Sequence, residues 1–186
     1  NKKLDKTKLD LFKKLIKKRS NRNPVAYLIN KKSFWESEFY VTKDALIPRP
    51  ETELIVENVL KLTKYKNNIN ILDIGIGSGC ILLSILSEKN NFSGIGIDIN
   101  KNSINISKIN AKRLKIYNRV KFYKSDVDKF DLGKYDLIVS NPPYIKKIRI
   151  SRLEEDVKNF EPKSALDGGY NGYSKIEKVI KKSANL

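Results

Sequence analysis

The sequence predicts an α/β protein built on a doubly wound parallel sheet. Three observations carry that expectation. Short aliphatic runs alternate with helical patterns from residue 70 onward, a glycine-rich turn joins the first run to its helix, and the last run stops in Asn141-Pro142-Pro143-Tyr144. Strands separated by helices of this length pair in parallel, because right-handed crossovers leave few other solutions.

The elements follow in order. Residues 1–20 place Leu4, Leu11, Phe12, Leu15 and Ile16 on one stripe among lysines and predict an amphipathic helix. From 21 to 50 the aromatic residues Tyr27, Phe34, Trp35, Phe39 and Tyr40, with Pro24, Pro48 and Pro50, predict short strands and turns around a β-hairpin. Pro50 and the acidic residues after it start a helix running from Glu51 to about Tyr65. Then come strand 70–75, helix 78–89, strand 93–99, helix 101–117 and strands 119–123 and 135–141. A helix over Ser174 to Lys182 is the last element expected.

Composition narrows the chemistry. The 186 residues, 40% hydrophobic, suffice for one core with a small appendage. No run approaches the roughly 20 apolar residues of a membrane span, and the lysine-rich start lacks the apolar centre of a secretory signal, so a soluble cytoplasmic protein, or one of an organellar matrix, is expected. Cys80 is the single cysteine and there is no histidine, which excludes an internal disulfide, the usual zinc sets and every nucleophile activated by imidazole. No metal is expected. The net charge of +17 raises nucleic acid as a partner. The cations are scattered lysines accompanied by many asparagines and isoleucines, as an A/T-rich coding sequence produces, and a solvated lysine surface is the favoured reading. With no methionine even at position 1, the chain reads as a segment of something longer.

The glycine turn is Asp73-Ile74-Gly75-Ile76-Gly77-Ser78-Gly79. Glycines let a ligand approach the backbone, and the helix expected from Ser78 aims its free N–H groups into the same space. A dinucleotide fingerprint wants G-x-G-x-x-G, whereas this chain has G-x-G-x-G with Cys80 at the last position. The next strand ends in Asp98, placed to accept hydrogen bonds from both hydroxyls of a ribose. Together they specify a nucleoside-bearing ligand. The lack of G-K-[ST] argues against a phosphate loop and leaves a nicotinamide or an adenosyl group.

Asn141 stands at the carboxyl end of the strand after the chain reverses direction in the sheet, where open parallel sheets place reacting groups. Pro142 and Pro143 have no N–H, so this corner is rich in acceptors. A planar NH₂ group could donate to the Asn141 side-chain oxygen and the Pro142 carbonyl while Tyr144 covers its face. Holding such a weak nucleophile in line with an electrophile is catalysis by orientation and charge stabilisation.

The order DIGIGSG, GIGID, SNPPY resembles class I S-adenosylmethionine-dependent methyltransferases of planar amino groups. That resemblance implies a Rossmann-like fold and S-adenosyl-L-methionine as cofactor. Gly75, Ile76, Gly77, Ser78 and Gly79 would hold its methionyl part with Asp73, Asp98 its ribose, and Asp126 and Val127 its adenine, with Asn141 beside it. Adenine-in-DNA and glutamine-in-protein enzymes share the tetrapeptide. Upstream, RNPVAYLIN, FWESEFYV and LIPRPETELIVE, and downstream NFEPKSALDGGYNGY, are similar to the peptide chain release factor N(5)-glutamine methyltransferase family. The resemblance implies methylation of the glutamine in the factors' Gly-Gly-Gln loop, with Asn141, Pro142 and Tyr144 catalytic and Pro143 also touching the substrate. Arg49 is read as a further substrate contact because the rigid turn between Pro48 and Pro50 presents it near the cleft.

By the same resemblance residues 1–20 are a remnant of an N-terminal helical domain, 21–50 a linker with a hairpin, and 51–186 a partial methyltransferase domain. The family sheet continues for about three more strands. Asparagine and lysine after Tyr27 replace a glycine common in the family, so that turn is expected to differ. Cys80 reads as a packing residue, Trp35 and Phe39 as anchors of the hairpin, and Glu51 and Thr52 as helix caps. Asp73 has the alternative of orienting the glycine turn. The rival readings are a nucleic-acid adenine amino methyltransferase, which needs a target-reading domain, and an inactive cofactor-binding fragment.

Overall fold

The computed structural model describes residues 5–186, so Leu4 of the predicted stripe lies outside the described residues. Helix α1 (Lys6–Ser20) opens where the Asp5 carboxylate accepts the Thr7 N–H at 2.7 Å, and closes with Lys17, Lys18 and Arg19 in its last turn, favourable to the helix dipole. Its stripe is left largely open among the described residues: Leu11, Phe12 and Ile16 are all more than half exposed, and Leu15 is partly covered. Residues 25–29, expected as strand or turn, form a short helix, α2 (Val25–Ile29). Pro24 presets its entry, and Asn30 ends it in the left-handed region (φ 55°), taking the place a glycine would have.

The hairpin is as expected, with β1 (Lys31–Phe34) antiparallel to β2 (Ser37–Tyr40). Phe34 and Phe39 are inaccessible and meet edge to face at 6.1 Å. Truncating either to alanine should cost about 3–5 kcal/mol. Trp35 lies between the strands and is held from two sides. Its backbone N–H donates to Glu53 and its indole N–H to Glu88, each at 2.8 Å. A tight turn at Pro50–Thr52 leads into α3 (Glu53–Leu62).

The main sheet contains β3 (Asn70–Ile74), β4 (Ser93–Asp98), β5 (Val120–Lys124) and β6 (Leu137–Ser140), all parallel, in the order β5-β4-β3-β6. Two crossovers run through α4 (Cys80–Glu88) and α5 (Lys101–Arg113). The chain moves outward from β3 to β5 and then returns to lay β6 on the opposite side of β3. That reversal leaves a crevice at the carboxyl ends of β3 and β6, the usual ligand position in open α/β sheets.

Alternation along β3 divides the core. Ile71 packs with Phe34, Phe39, Val56, Leu82 and Leu86 on one face, under the hairpin, α3 and α4. Leu72 and Ile74 face the other way, with Ile97 and Phe130. That second face is covered in part by Val179 of the last helix, α7 (Ser174–Ser183). Between β6 and α7 lie extended and 3-10 segments and one short helix, α6 (Glu155–Phe160), none of them expected. Helix α5 also stops earlier than expected, with Lys115 in the left-handed region (φ 59°) just beyond it.

Candidate active site

Gly75, Gly77 and Gly79 have φ of 78°, 58° and 85°, a region in which a Cβ is strained, so alternate residues of this turn must be glycine. The third of them ends the loop, and α4 therefore begins at Cys80 instead of Ser78. A Cβ at Gly75 would meet nothing within 4 Å, so bare backbone faces open space there. The N–H groups of Gly75 and Ile76 both donate to the Ile97 carbonyl at 2.9 Å. Next in the turn, the Gly77 N–H donates to one oxygen of Asp98 at 3.0 Å while the Asn100 N–H donates to the other at 2.8 Å. Asp98 thus ties the turn to the end of β4. Burial raises its carboxyl above the usual range, with the Asn100 and Gly77 N–H groups acting against the rise.

A polar stripe on α5 supports the turn from behind. Ser107 donates to the Gly77 carbonyl at 2.7 Å, and Ser103 donates to the Asp44 carbonyl at 2.9 Å. The Asn110 side chain serves three backbone groups. It donates to the Ser78 and Tyr40 carbonyls at 2.9 Å each and accepts the Tyr40 N–H at 2.8 Å. All three side chains are buried. No motif marks them in the sequence, although polar residues at i, i+4 and i+7 in an isoleucine-bearing helix carry the period of a buried face.

Asp73 does not orient the turn by hydrogen bonds. Its side chain is 1% exposed, and neither carboxylate oxygen has a hydrogen-bond partner. Burial pushes it up to about 7, the Leu82 N–H in the first turn of α4 opposes this without completing a hydrogen bond, and the charge of Asp98 adds to it. A buried, unpartnered carboxylate beneath a turn open to a cleft is a demand for a cation or donor.

On the other side of the crevice, the Ser140 hydroxyl donates to the Ile74 carbonyl at 2.6 Å and locks the end of β6 to β3. The Asn141 side-chain NH₂ donates to the Thr52 hydroxyl at 3.2 Å. Among the described residues nothing donates to Asn141 Oδ1 or to the Pro142 carbonyl, so the corner presents two acceptors. The strand then runs on beside the downstream segment. Ile145 donates to the Leu166 carbonyl at 3.1 Å, Gly168 to that of Ile145 at 2.9 Å, and Lys147 to that of Gly169 at 3.0 Å. Gly168 is pressed so close that a Cβ would lie 2.7 Å from Tyr144 Cα and 2.9 Å from the Pro143 carbonyl oxygen.

Motifs far apart in sequence meet behind this corner. Arg49 pairs with the buried Glu161 of NFEP at 2.5 Å, and Tyr27 donates to the Ala45 carbonyl at 2.7 Å nearby. Burial, with the Glu161 charge adding, holds the Tyr27 phenol well above its usual range. Arg49 is therefore committed to an ion pair while still reaching the cleft wall. Thr52, expected as a cap, makes no capping bond; its backbone is already helical and its hydroxyl is used by Asn141.

One cleft gathers most of the expected residues. Gly75, Ile76, Gly77, Ser78 and Asp98 form one wall, and Asp126 and Val127 lie beyond them. Asn141, Pro142, Pro143 and Arg49 form the opposite side. Asp73 and Gly79 lie beneath the wall and do not line it, and Tyr144 is 63% exposed away from it. Cys80 lines the cleft, but burial pushes its thiol up to about 12, which leaves no thiolate for chemistry.

A parallel sheet with a glycine turn and an acidic strand end on one side of its switch point, and an acceptor corner on the other, defines a Rossmann-like fold of the class I methyltransferase type. Residues 50–156 match the methyltransferase small domain family, and the chain belongs to that family. It is 44% identical over 169 residues to the release factor glutamine methyltransferase of Buchnera aphidicola subsp. Acyrthosiphon pisum, covering 91% of this chain and 60% of that protein. It is 40% identical over 158 residues to the release factor glutamine methyltransferase of Caulobacter vibrioides, covering 84% and 55%. The chain thus spans little more than half the length of these relatives. Among solved structures, the hMettl16 catalytic domain in complex with MAT2A 3'UTR hairpin 6 superposes with a TM-score of 0.63 at 17% identity, covering 78% of this chain and 56% of that one, a likeness of fold.

Proposed function

We propose that this chain is the core of an enzyme that methylates the side-chain amide nitrogen of the glutamine in the Gly-Gly-Gln loop of a peptide chain release factor, in the cytoplasm. The observation that carries this reading is the acceptor pair at Asn141 Oδ1 and the Pro142 carbonyl, facing the glycine turn across one cleft. The names of the relatives support it, and so does the convergence of PRPETE and NFEP on that corner.

The residues present fit S-adenosyl-L-methionine. Asp73 offers an unpartnered carboxylate under the turn, the bare backbone at Gly75 leaves room above it, and Val127, Ile76 and Ile99 give apolar walls for a flat ring. In this reading Gly75 to Gly79 and Asp73 hold the amino-acid end, Asp98 the ribose, and Asp126 and Val127 the adenine. When bound, this cofactor supplies an electrophilic methyl group on a sulfonium.

The protein's own part is positioning. A primary amide nitrogen is a poor nucleophile because its lone pair is delocalised into the carbonyl. Asn141 Oδ1 and the Pro142 carbonyl accept its two hydrogens and so fix both its place and the plane of the group, which acts through orientation and through stabilisation of the positive charge that develops on nitrogen. Pro143 keeps the turn free of competing N–H donors. Arg49, on the wall of the cleft, and Tyr144, exposed just past the corner and outside the cleft lining, are the residues we assign to contact with the incoming loop.

The test is incubation with methyl-labelled cofactor and a release factor, followed by mapping of the label. The expected result is label on the Gly-Gly-Gln glutamine, reduced at least about 100-fold by Asn141→Ala with the thermal midpoint preserved. Label on DNA or RNA, or activity of Asn141→Ala within about threefold of the parent, would overturn the reading.

A further inference from the structure

We infer that Thr52 is a positioning residue, which holds the plane of the Asn141 amide so that its oxygen faces the NH₂ group of the target amide. The inference rests on the function proposed above. A side-chain amide turns about a soft terminal torsion, so an asparagine anchored only by its backbone would present oxygen, nitrogen or an edge to the cleft in turn. Here one bond restrains it: Asn141 Nδ2 donates to Thr52 Oγ1 at 3.2 Å.

Thr52 is itself well fixed. It is 8% exposed, its β-branched side chain has few rotamers, and it lies in the tight turn Pro50–Thr52 that enters α3. The turn is held in place on its other side by the Arg49–Glu161 ion pair, whose acid also accepts the Ile47 N–H at 3.4 Å. A rigid hydroxyl on one element therefore sets the angle of an amide on another, and this explains why a motif so far upstream accompanies the tetrapeptide. A hydroxyl can donate as well as accept, so Thr52 fixes the plane of the amide. The hydrogens of the target then select the flip, because only Oδ1 can accept them.

The experiment compares Thr52→Val, which keeps the shape and loses the hydroxyl, with Thr52→Ser, which keeps the hydroxyl. Thr52→Val should lower kcat at least about tenfold with cofactor affinity by calorimetry unchanged, Thr52→Ser should stay within about threefold, and Thr52→Val should add nothing in an Asn141→Ala background. A second readout needs no turnover: the side-chain NH₂ pair of Asn141, followed by nuclear magnetic resonance in the full chain, should change in Thr52→Val and persist in Thr52→Ser. Equal kcat for Thr52→Val and the parent, equal loss in Val and Ser, or an Asn141 NH₂ signal indifferent to Thr52→Val overturns the inference. If the parent methylates no glutamine, the proposed function fails by itself, and the resonance comparison still decides the role of Thr52.

Discussion

Replacing Asp73 by asparagine should remove most of one pH dependence of stability. The carboxyl is buried without a partner and titrates at about 7 in the folded chain, against 3.8 ordinarily. Between those values the folded state holds a proton that the unfolded state has lost, so stability falls as pH rises through this window, and the penalty is complete above about 7. At about 1.36 kcal/mol per pH unit the difference corresponds to about 4 kcal/mol. The Asp73→Asn side chain keeps the shape and cannot ionise, so the variant escapes that loss. Urea unfolding of parent and variant from pH 4.5 to 8.5 measures it. The parent should weaken relative to the variant by about 3 kcal/mol across this range, the rest of the difference falling below pH 4.5. Two profiles parallel within about 1 kcal/mol would mean that Asp73 is ionised and satisfied throughout, and the reasoning would be wrong.

Three further outcomes follow from the geometry. Gly168→Ala drives a Cβ against the backbone of Pro143 and Tyr144, where no side chain can yield, and should lower kcat at least about tenfold while cofactor affinity by calorimetry stays within about threefold. Arg49→Met strands the buried Glu161 carboxylate. Because Arg49 itself is 34% exposed, the expected loss in urea unfolding is about 2–3 kcal/mol, below the full cost of a broken buried pair. Asn110→Ala leaves the Tyr40 N–H and two carbonyls unpaired and should cost at least about 3 kcal/mol by the same measurement.

The parallel sheet could be read from the sequence because each strand is a short apolar run bounded by a turn signal, and β3, β4, β5 and β6 stand where those runs lie. The glycine turn was legible for the same kind of reason: three positive-φ positions in alternation leave glycine as the unstrained choice. What escaped was chemistry that depends on tertiary neighbours. Thr52 carries the local pattern of a cap, and only the approach of Asn141 from β6 gives its hydroxyl other work. Asp73 reads like any acid beside a glycine loop, and its isolation appears once α4 closes over it. The helix at Val25–Ile29 was missed because a five-residue segment has too few turns to show a period, and its aromatic residue suited a strand equally well.

The buried asparagine of α5 has a dynamic consequence. Because Asn110 bonds the last residue of the hairpin and the glycine turn with one side chain, the opening of either removes part of what fixes the buried side chain that holds the other. The two are thereby coupled, although they are separate in sequence, and should exchange their amides in step. A ligand that quiets the turn should therefore slow amide exchange in hairpin strands it never touches, and by reciprocity a loosened hairpin should weaken that ligand's hold.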